Sequence, residues 1–286
     1  MATLLKGKPV VDQMAVDLRK RIDALAQSGV TPTLALVRLG QRPDDLSYER
    51  TAVKRAASLG INTKPYVLDE FAPEAALKAT LQSINYDKTV HGCLMFRPLP
   101  RSIDEKAMCD MLAAAKDVDG ISVASLAAVF TDDGSGFPPC TAEACVKMLD
   151  HYEIPIEGKH VVVIGRSLVI GKPVSMMLLR LNATVTMCHS RTKNLAEICR
   201  AADIVICATG RARAYGREYF SDGQTVLDVG INFDAEGNLC GDVDFSEVEP
   251  VVAAITPVPG GIGTVTTSLT MEHTVAAAEA ARRVVE

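Results

Sequence analysis

The first chemical signal lies in residues 160–173. An apolar, β-branched run, His160-Val161-Val162-Val163-Ile164, leads into Gly165-Arg166-Ser167-Leu168-Val169-Ile170-Gly171-Lys172-Pro173. Strand, glycine turn and helix in that order aim free backbone N–H groups and the positive helix end at a phosphate. The turn is not the usual G-x-G-x-x-G, because Ser167 takes the second glycine position and Arg166 adds a charge. A plain βα turn has the same layout, so a second signal is needed.

The next strand, Ala183 to Met187, supplies one. It leads into Cys188-His189-Ser190-Arg191-Thr192, where no Asp or Glu stands. An NAD site places a carboxylate there, on the ribose hydroxyls. A hydroxyl and a guanidinium suit a 2′-phosphate instead, and Arg166 can approach the same group. If the turn holds a dinucleotide, these residues favour NADP over NAD. Arg191 alone would read as a solvated loop cation. A third element, Thr256-Pro257-Val258-Pro259-Gly260-Gly261-Ile262-Gly263, combines fixed φ at the prolines with close backbone approach at the glycines. Such a loop can lie against a flat ring such as a nicotinamide.

Metal chemistry finds no support. The eight cysteines form no C-x-x-C pair, and the five histidines are scattered. Most cysteines sit in apolar runs, which predicts buried thiols in a reducing compartment.

These residues need elements to hold them. The spacing predicts helices over 9–27, 47–59, 73–84, 141–151, 171–181, 194–200 and 264–285. Strands are predicted over 33–39, 63–68, 90–96, 160–164, 183–187, 203–207, 225–229 and 252–256. Alternation of this kind implies an α/β fold with parallel sheets. Residues 131–140, rich in Gly, Pro and Asp, read as a loop or domain crossover. The length of 286 residues allows two ordinary domains or one large one. An apolar fraction of 48% excludes global disorder, and a net charge of −5 argues against an extended nucleic-acid surface. No apolar run approaches the roughly 20 residues of a membrane span, and the N-terminus lacks a signal-peptide layout. A cytoplasmic protein is expected.

Taken together, the motifs resemble the methylenetetrahydrofolate dehydrogenase/methenyltetrahydrofolate cyclohydrolase family, the FolD type. The matching stretches are Lys116-Asp117-Val118-Asp119-Gly120, Pro139-Cys140-Thr141, the 163–173 turn, His189-Ser190-Arg191-Thr192, Asp228-Val229-Gly230-Ile231-Asn232, Gly241-Asp242-Val243 and 255–263. The resemblance implies a two-lobed oxidoreductase of one-carbon metabolism that forms homodimers. Its folate-binding catalytic domain would be 1–120 with 265–286, and its NADP-binding, Rossmann-like domain 121–264. The C-terminal helix would return to the first lobe, and the active site would lie between the lobes. By the same resemblance, Tyr48 and Asp119 are the catalytic residues. Tyr48 borders the folate ring, Asp119 holds the pterin amino edge, and Pro259, Gly260 and Gly261 close over the substrate. Gly165, Arg166, Ser167, Ser190, Arg191, Ile231 and Gly263 contact NADP. No metal is expected.

Two departures stand out. The family's cyclohydrolase step uses a Lys four residues after the Tyr, and here that position is Ala52. Lys54 lies about 240° around the helix from Tyr48, and Arg55 is on the right face but about 10 Å along the axis. Arg55 is also a poor proton donor or acceptor, with a pKa above about 12. The family's Gln before Pro-Leu-Pro is here Phe96. A Gln can orient a lysine or a water, and a Phe cannot. Smaller departures are Asp45, the stretch Ser122-Val123-Ala124-Ser125, and Thr264-Val265.

Hydride transfer needs no proton relay from the protein, whereas hydrolysis of the methenyl carbon does. The expected function is therefore NADP-dependent oxidation of 5,10-methylenetetrahydrofolate to 5,10-methenyltetrahydrofolate, with cyclohydrolase activity lost or very weak. A separate cyclohydrolase would then be needed. Three alternatives stay open: a bifunctional enzyme using Arg55, Arg97 or a shifted lysine, a non-catalytic NADP- or folate-binding paralogue, and a different reduced-pterin carrier. No nucleic acid or membrane partner is expected.

Overall fold

The structure, a computed structural model, describes residues 1–285. The first half forms β1 (Thr3–Leu4), α1 (Gly7–Gln27), β2 (Thr33–Leu39), α2 (Pro43–Leu59), β3 (Asn62–Leu68), α3 (Glu74–Tyr86), β4 (Gly92–Met95), α4 (Glu105–Met111), α5 (Val123–Thr131) and α6 (Cys140–His151). The second half forms β5 (His160–Ile164), α7 (Gly171–Arg180), β6 (Thr184–Cys188), α8 (Leu195–Arg200), β7 (Ile204–Cys207), β8 (Thr225–Asp228), β9 (Asn232–Phe233), β10 (Leu239–Cys240), α9 (Phe245–Val248), β11 (Ala254–Ile255) and α10 (Ile262–Val285). Two compact units result. One comprises Gln13–Cys140 with the chain from Thr267 onward, and the other Met1–Asp12 with Thr141–Thr266.

The first unit is built on a parallel sheet of order β3-β2-β4. Side chains alternate across a strand, so central β2 feeds two cores. Leu34 and Leu36 join Leu18, Ile22 and Leu25 of α1, Ala52 and Ala56 of α2, and Met271, Val275 and Ala278 of α10. Ala35 and Val37 join Leu77, Leu81 and Ile84 of α3 and Met108 of α4. Each fully buried Leu or Ile contributes about 1.5–3 kcal/mol. The C-terminal helix thus packs into this unit, as expected. Arg21 of α1 clamps it with a two-pronged ion pair to Glu279, at 2.9 and 2.8 Å.

Helix α2 starts four residues before the expected Ser47. Pro43 presets its first turn, and Asp44 and Asp45 face the positive helix end. It stops at Gly60, whose φ of +83° suits a left-handed cap.

The second unit holds a six-stranded parallel sheet of order β1-β11-β8-β7-β5-β6. Strands β5, β7 and β8 are almost wholly buried, which suits their unbroken apolar sequences. Edge strand β6 is the more exposed, with Thr184 at the surface. One small feature is antiparallel, the pair β9–β10. All eight cysteines are buried and unpaired, as their apolar settings predict.

The units differ from the expected division, 1–120 with 265–286 against 121–264, at residues 1–12, 121–140 and 265–266. Residues 1–12 belong with the six-stranded unit, because Thr3–Leu4 pairs with Ala254–Ile255 as an edge strand. Two residues are too few to show a strand by periodicity. Residues 121–140 belong with the three-stranded unit. There the buried Asp117 carboxylate accepts from Ile121 N, Ser122 N and Ser125 Oγ. Glu286 lies outside the described residues. Among the described residues, no helix is long and apolar enough to cross a membrane.

Candidate active site

In the six-stranded unit, the 165–171 turn lies at the carboxyl end of β5. Gly165 has φ +128°, and a Cβ there would stand 2.2 Å from the Ala208 carbonyl oxygen. A Cβ on Gly171 would stand 2.2 Å from the Gly165 carbonyl oxygen. The two glycines thus bring helix α7, strand β5 and the end of β7 into direct backbone contact. Arg166 and Ser167 are left exposed on the turn.

Strand β6 pairs in parallel with β5 through Ile164↔Cys188, so Ser190 and Arg191 emerge beside that turn. Both are exposed. The backbone N–H of Arg191 donates to His189 Nδ1 at 3.2 Å, and its side chain is exposed. No carboxylate occupies this strand end. Room for close backbone approach, the N-terminal end of α7 and two exposed cations fit a phosphorylated dinucleotide.

A pocket of about 230 Å³ in the same unit gathers Ile231, Pro259, Gly260, Gly261 and Gly263. Ile231 is 66% exposed despite being apolar, so it is available to a flat ligand face. Asp228 also lines the pocket, buried and accepting from Gly230 N, Asp242 N and Val243 N. Burial pushes its pKa up to about 7 against those three donors. Asp242 in turn accepts from Thr209 N, Gly210 N and Arg211 N. The D-V-G and G-D-V segments are therefore scaffolding that shapes the pocket.

Tyr48 and Asp119 lie in the three-stranded unit. Tyr48, on α2, packs against the apolar cluster that contains Ala52 and Phe96. Ala52 is 0% exposed and Phe96 5% exposed. Lys54 is exposed on another face, as helix geometry predicts. Arg55 Nε donates to Ser268 Oγ of α10 at 3.1 Å. The Tyr48 hydroxyl hydrogen-bonds Thr267 and Thr270 of α10. Burial raises its pKa well above the ordinary phenol value, and the nearby charge of Asp119 adds to this. Tyr48 is thus a neutral phenol at neutral pH.

Asp119 is partly buried in the loop before α5. Desolvation pushes its pKa up to about 6, opposed by the Arg97 charge and by the nearby Cys140 side chain. It remains mostly a carboxylate at neutral pH, able to accept from an amino group.

Sequence reasoning missed Thr267, Thr270, His273 and Cys140, which surround Tyr48 and Asp119. A signal existed: polar residues recur at 267, 270 and 273 on one face of an otherwise Ala-rich helix. The departure at 122–125 proves structural. Ser122 caps α5 through Ser125 N, and Ser125 Oγ donates to Asp117. Among the described residues, no group of His, Cys, Asp and Glu could hold a metal ion.

A parallel sheet with a glycine turn of the nucleotide-binding type at the end of β5, and a second α/β unit carrying a half-buried phenol and carboxylate, are features of a two-unit α/β enzyme. The family model "Tetrahydrofolate dehydrogenase/cyclohydrolase, catalytic domain" matches residues 5–119, and "Tetrahydrofolate dehydrogenase/cyclohydrolase, NAD(P)-binding domain" matches 139–282. The chain belongs to the tetrahydrofolate dehydrogenase/cyclohydrolase family. It is 47% identical over 281 residues to the bifunctional protein FolD of Carboxydothermus hydrogenoformans, covering 98% of each chain. The crystal structure of bifunctional FolD from Campylobacter jejuni superposes with a TM-score of 0.95 at 36% identity, covering 98% of this chain and 99% of that one. A FolD from Trypanosoma brucei, complexed with NADP cofactor and inhibitor, gives 0.92 at 31% identity, covering 99% of each.

Proposed function

We propose that this protein is an NADP-dependent 5,10-methylenetetrahydrofolate dehydrogenase whose cyclohydrolase activity is lost or very weak. The observation that carries this reading is the apolar packing of Ala52 and Phe96 against Tyr48.

Ser190 and Arg191, beside the 165–167 turn, hold the 2′-phosphate and make the cofactor NADP. The Trypanosoma brucei relative is likewise described with NADP. Ile231, Gly263 and the Pro259-Gly260-Gly261 loop hold the nicotinamide end. When bound, the cofactor accepts the hydride that leaves the methylene carbon. Asp119 accepts hydrogen bonds from the pterin amino edge. Tyr48 borders the folate ring as a neutral donor held by Thr267 and Thr270. None of these residues has to move a proton for hydride transfer, and their task is orientation.

Hydrolysis of the methenyl carbon needs an attacking water and proton traffic. General acid–base help of that kind is typically worth about 10²–10⁴-fold. Around Tyr48, the side chains at 52 and 96 offer neither a donor nor an acceptor. The bifunctional reading remains the alternative, and it is favoured by the relatives' names. In that reading Arg97, whose charge reaches Asp119, would serve the second step. By family likeness the protein acts as a cytoplasmic homodimer, with a separate cyclohydrolase supplying 10-formyltetrahydrofolate. The test is a paired assay on one preparation. NADPH formation from methylenetetrahydrofolate is expected, without acceleration of methenyltetrahydrofolate decay. Saturable NADP binding without turnover would instead mark a non-catalytic binder.

A further inference from the structure

Four consecutive residues, Asp117 to Gly120, have four distinct settings. Asp117 is fully buried and ties down the following turn through three hydrogen bonds. The Val118 side chain is buried in the core. Gly120, at φ +65°, lies so close to the 137–139 backbone that a Cβ would stand 2.4 Å from Pro139 N. Asp119 alone presents its side chain for ligand work.

The peptide joining Val118 to Asp119 is gripped from outside its own loop. His273 Nδ1 lies 2.8 Å from the Val118 carbonyl oxygen. A carbonyl only accepts, so Nδ1 carries the proton. Cys140 Sγ donates to the same oxygen at 3.3 Å and stands 3.7 Å from His273 Nδ1. Phe137 stacks on the imidazole, with centroids 4.8 Å apart and planes at 25°. His273 is 5% exposed and Cys140 2%. A titratable ring buried this deeply, fixed by stacking and aimed at one carbonyl, is more than filler.

We propose that His273, together with Cys140, positions Asp119: both donate to the Val118 carbonyl and so fix the peptide from which the Asp119 carboxylate projects. This rests on the reading of Asp119 as the anchor for the pterin amino edge. His273 acts through the backbone, so it is a positioning residue. The charged or titratable groups facing Asp119 are Arg97, Asp117, Cys140, His273 and Tyr48.

The experiment compares His273→Leu, His273→Asn and Asp119→Ala in the full-length protein, with KM and kcat measured for both substrates. Asn keeps an N–H donor near the Nδ1 position, and Leu does not. His273→Leu is expected to raise the folate KM about three- to tenfold, the worth of one buried hydrogen bond. Its kcat and NADP KM should stay within about twofold. His273→Asn should restore the folate KM to within about twofold. Equal folate KM in His273→Leu and the parent would overturn the proposal, and so would equal impairment by Leu and Asn. Cys140→Ala provides the same test if the Leu variant does not fold. It should raise the folate KM about threefold, and an unchanged value would count against the pair. Asp119→Ala separates the two claims. If it leaves the folate KM unchanged, the anchor reading fails, and the positioning proposal with it. If it raises KM while His273→Leu does not, only the positioning proposal fails.

Discussion

The edge of one aromatic ring meets the face of the other between Tyr48 and Phe96, with centroids 5.9 Å apart and planes at 87°. That contact fills the neighbourhood in which the family's second reaction would need polar side chains. One helical turn beyond Tyr48, Ala52 is sealed in the same apolar cluster. On the α10 side, the phenol instead meets Thr267 and Thr270. Tyr48 is thereby held as a donor with no strong base or acid directed at it from residues 52 or 96.

Replacing Ala52 with Lys and Phe96 with Gln together should introduce the missing proton-handling groups. Methenyltetrahydrofolate hydrolysis is expected to rise by up to about 10²–10⁴-fold over the parent. Ala52→Lys alone buries an ammonium in an apolar cluster and should lower Tm, at a cost of about 1–3 kcal/mol. Stopped hydrolysis assays and thermal melts on the two variants check both statements.

Asp119→Ala should lower the kcat/KM for methylenetetrahydrofolate by about 10- to 100-fold, the worth of a hydrogen bond to a charged group. The pH profile carries a sharper signature. Protonation of Asp119 removes the acceptor, so kcat/KM should fall as pH drops through about 6. An ordinary Asp would keep its charge down to about 4.

The same shift has a stability consequence. The folded pKa of Asp119 lies above its unfolded value, so the fold favours the neutral form. Its stabilising contribution is complete below the unfolded pKa, near about 4, and is lost as pH rises through about 6. Asp119→Asn should therefore raise Tm well above pH 6 and change it little near the unfolded pKa. Thermal melts at two pH values decide this.

Arg191→Ala should raise the KM for NADP by about 10- to 100-fold, because it removes a charge-assisted contact to the 2′-phosphate. The KM for NAD should barely change. The measurement is the ratio of the two kcat/KM values in parent and variant.

Much of this was legible in the sequence, for reasons particular residues show. The Val161-Val162-Val163-Ile164 run announces a buried parallel strand, and β5 covers 160–164 as predicted. Glycines 165 and 171 mark a turn whose backbone contacts exclude a Cβ. What stayed hidden depends on distant partners. Thr3–Leu4 is a strand only because Ala254–Ile255 lies beside it. Helix α5 lies outside the predicted helices, because its start depends on Ser122 capping Ser125 N and on both serines binding the buried Asp117. The polar face of α10 is periodic in sequence, yet its meaning comes from Tyr48 and Val118, which lie more than a hundred residues away.

The proposed loss of cyclohydrolase chemistry rests on Ala52 and Phe96. The most direct measurement follows methenyltetrahydrofolate decay with the purified protein, against buffer and against Asp119→Ala. Decay at the buffer rate is expected from a preparation that actively reduces NADP with methylenetetrahydrofolate. Clear acceleration by the parent protein, abolished in Asp119→Ala, would contradict it.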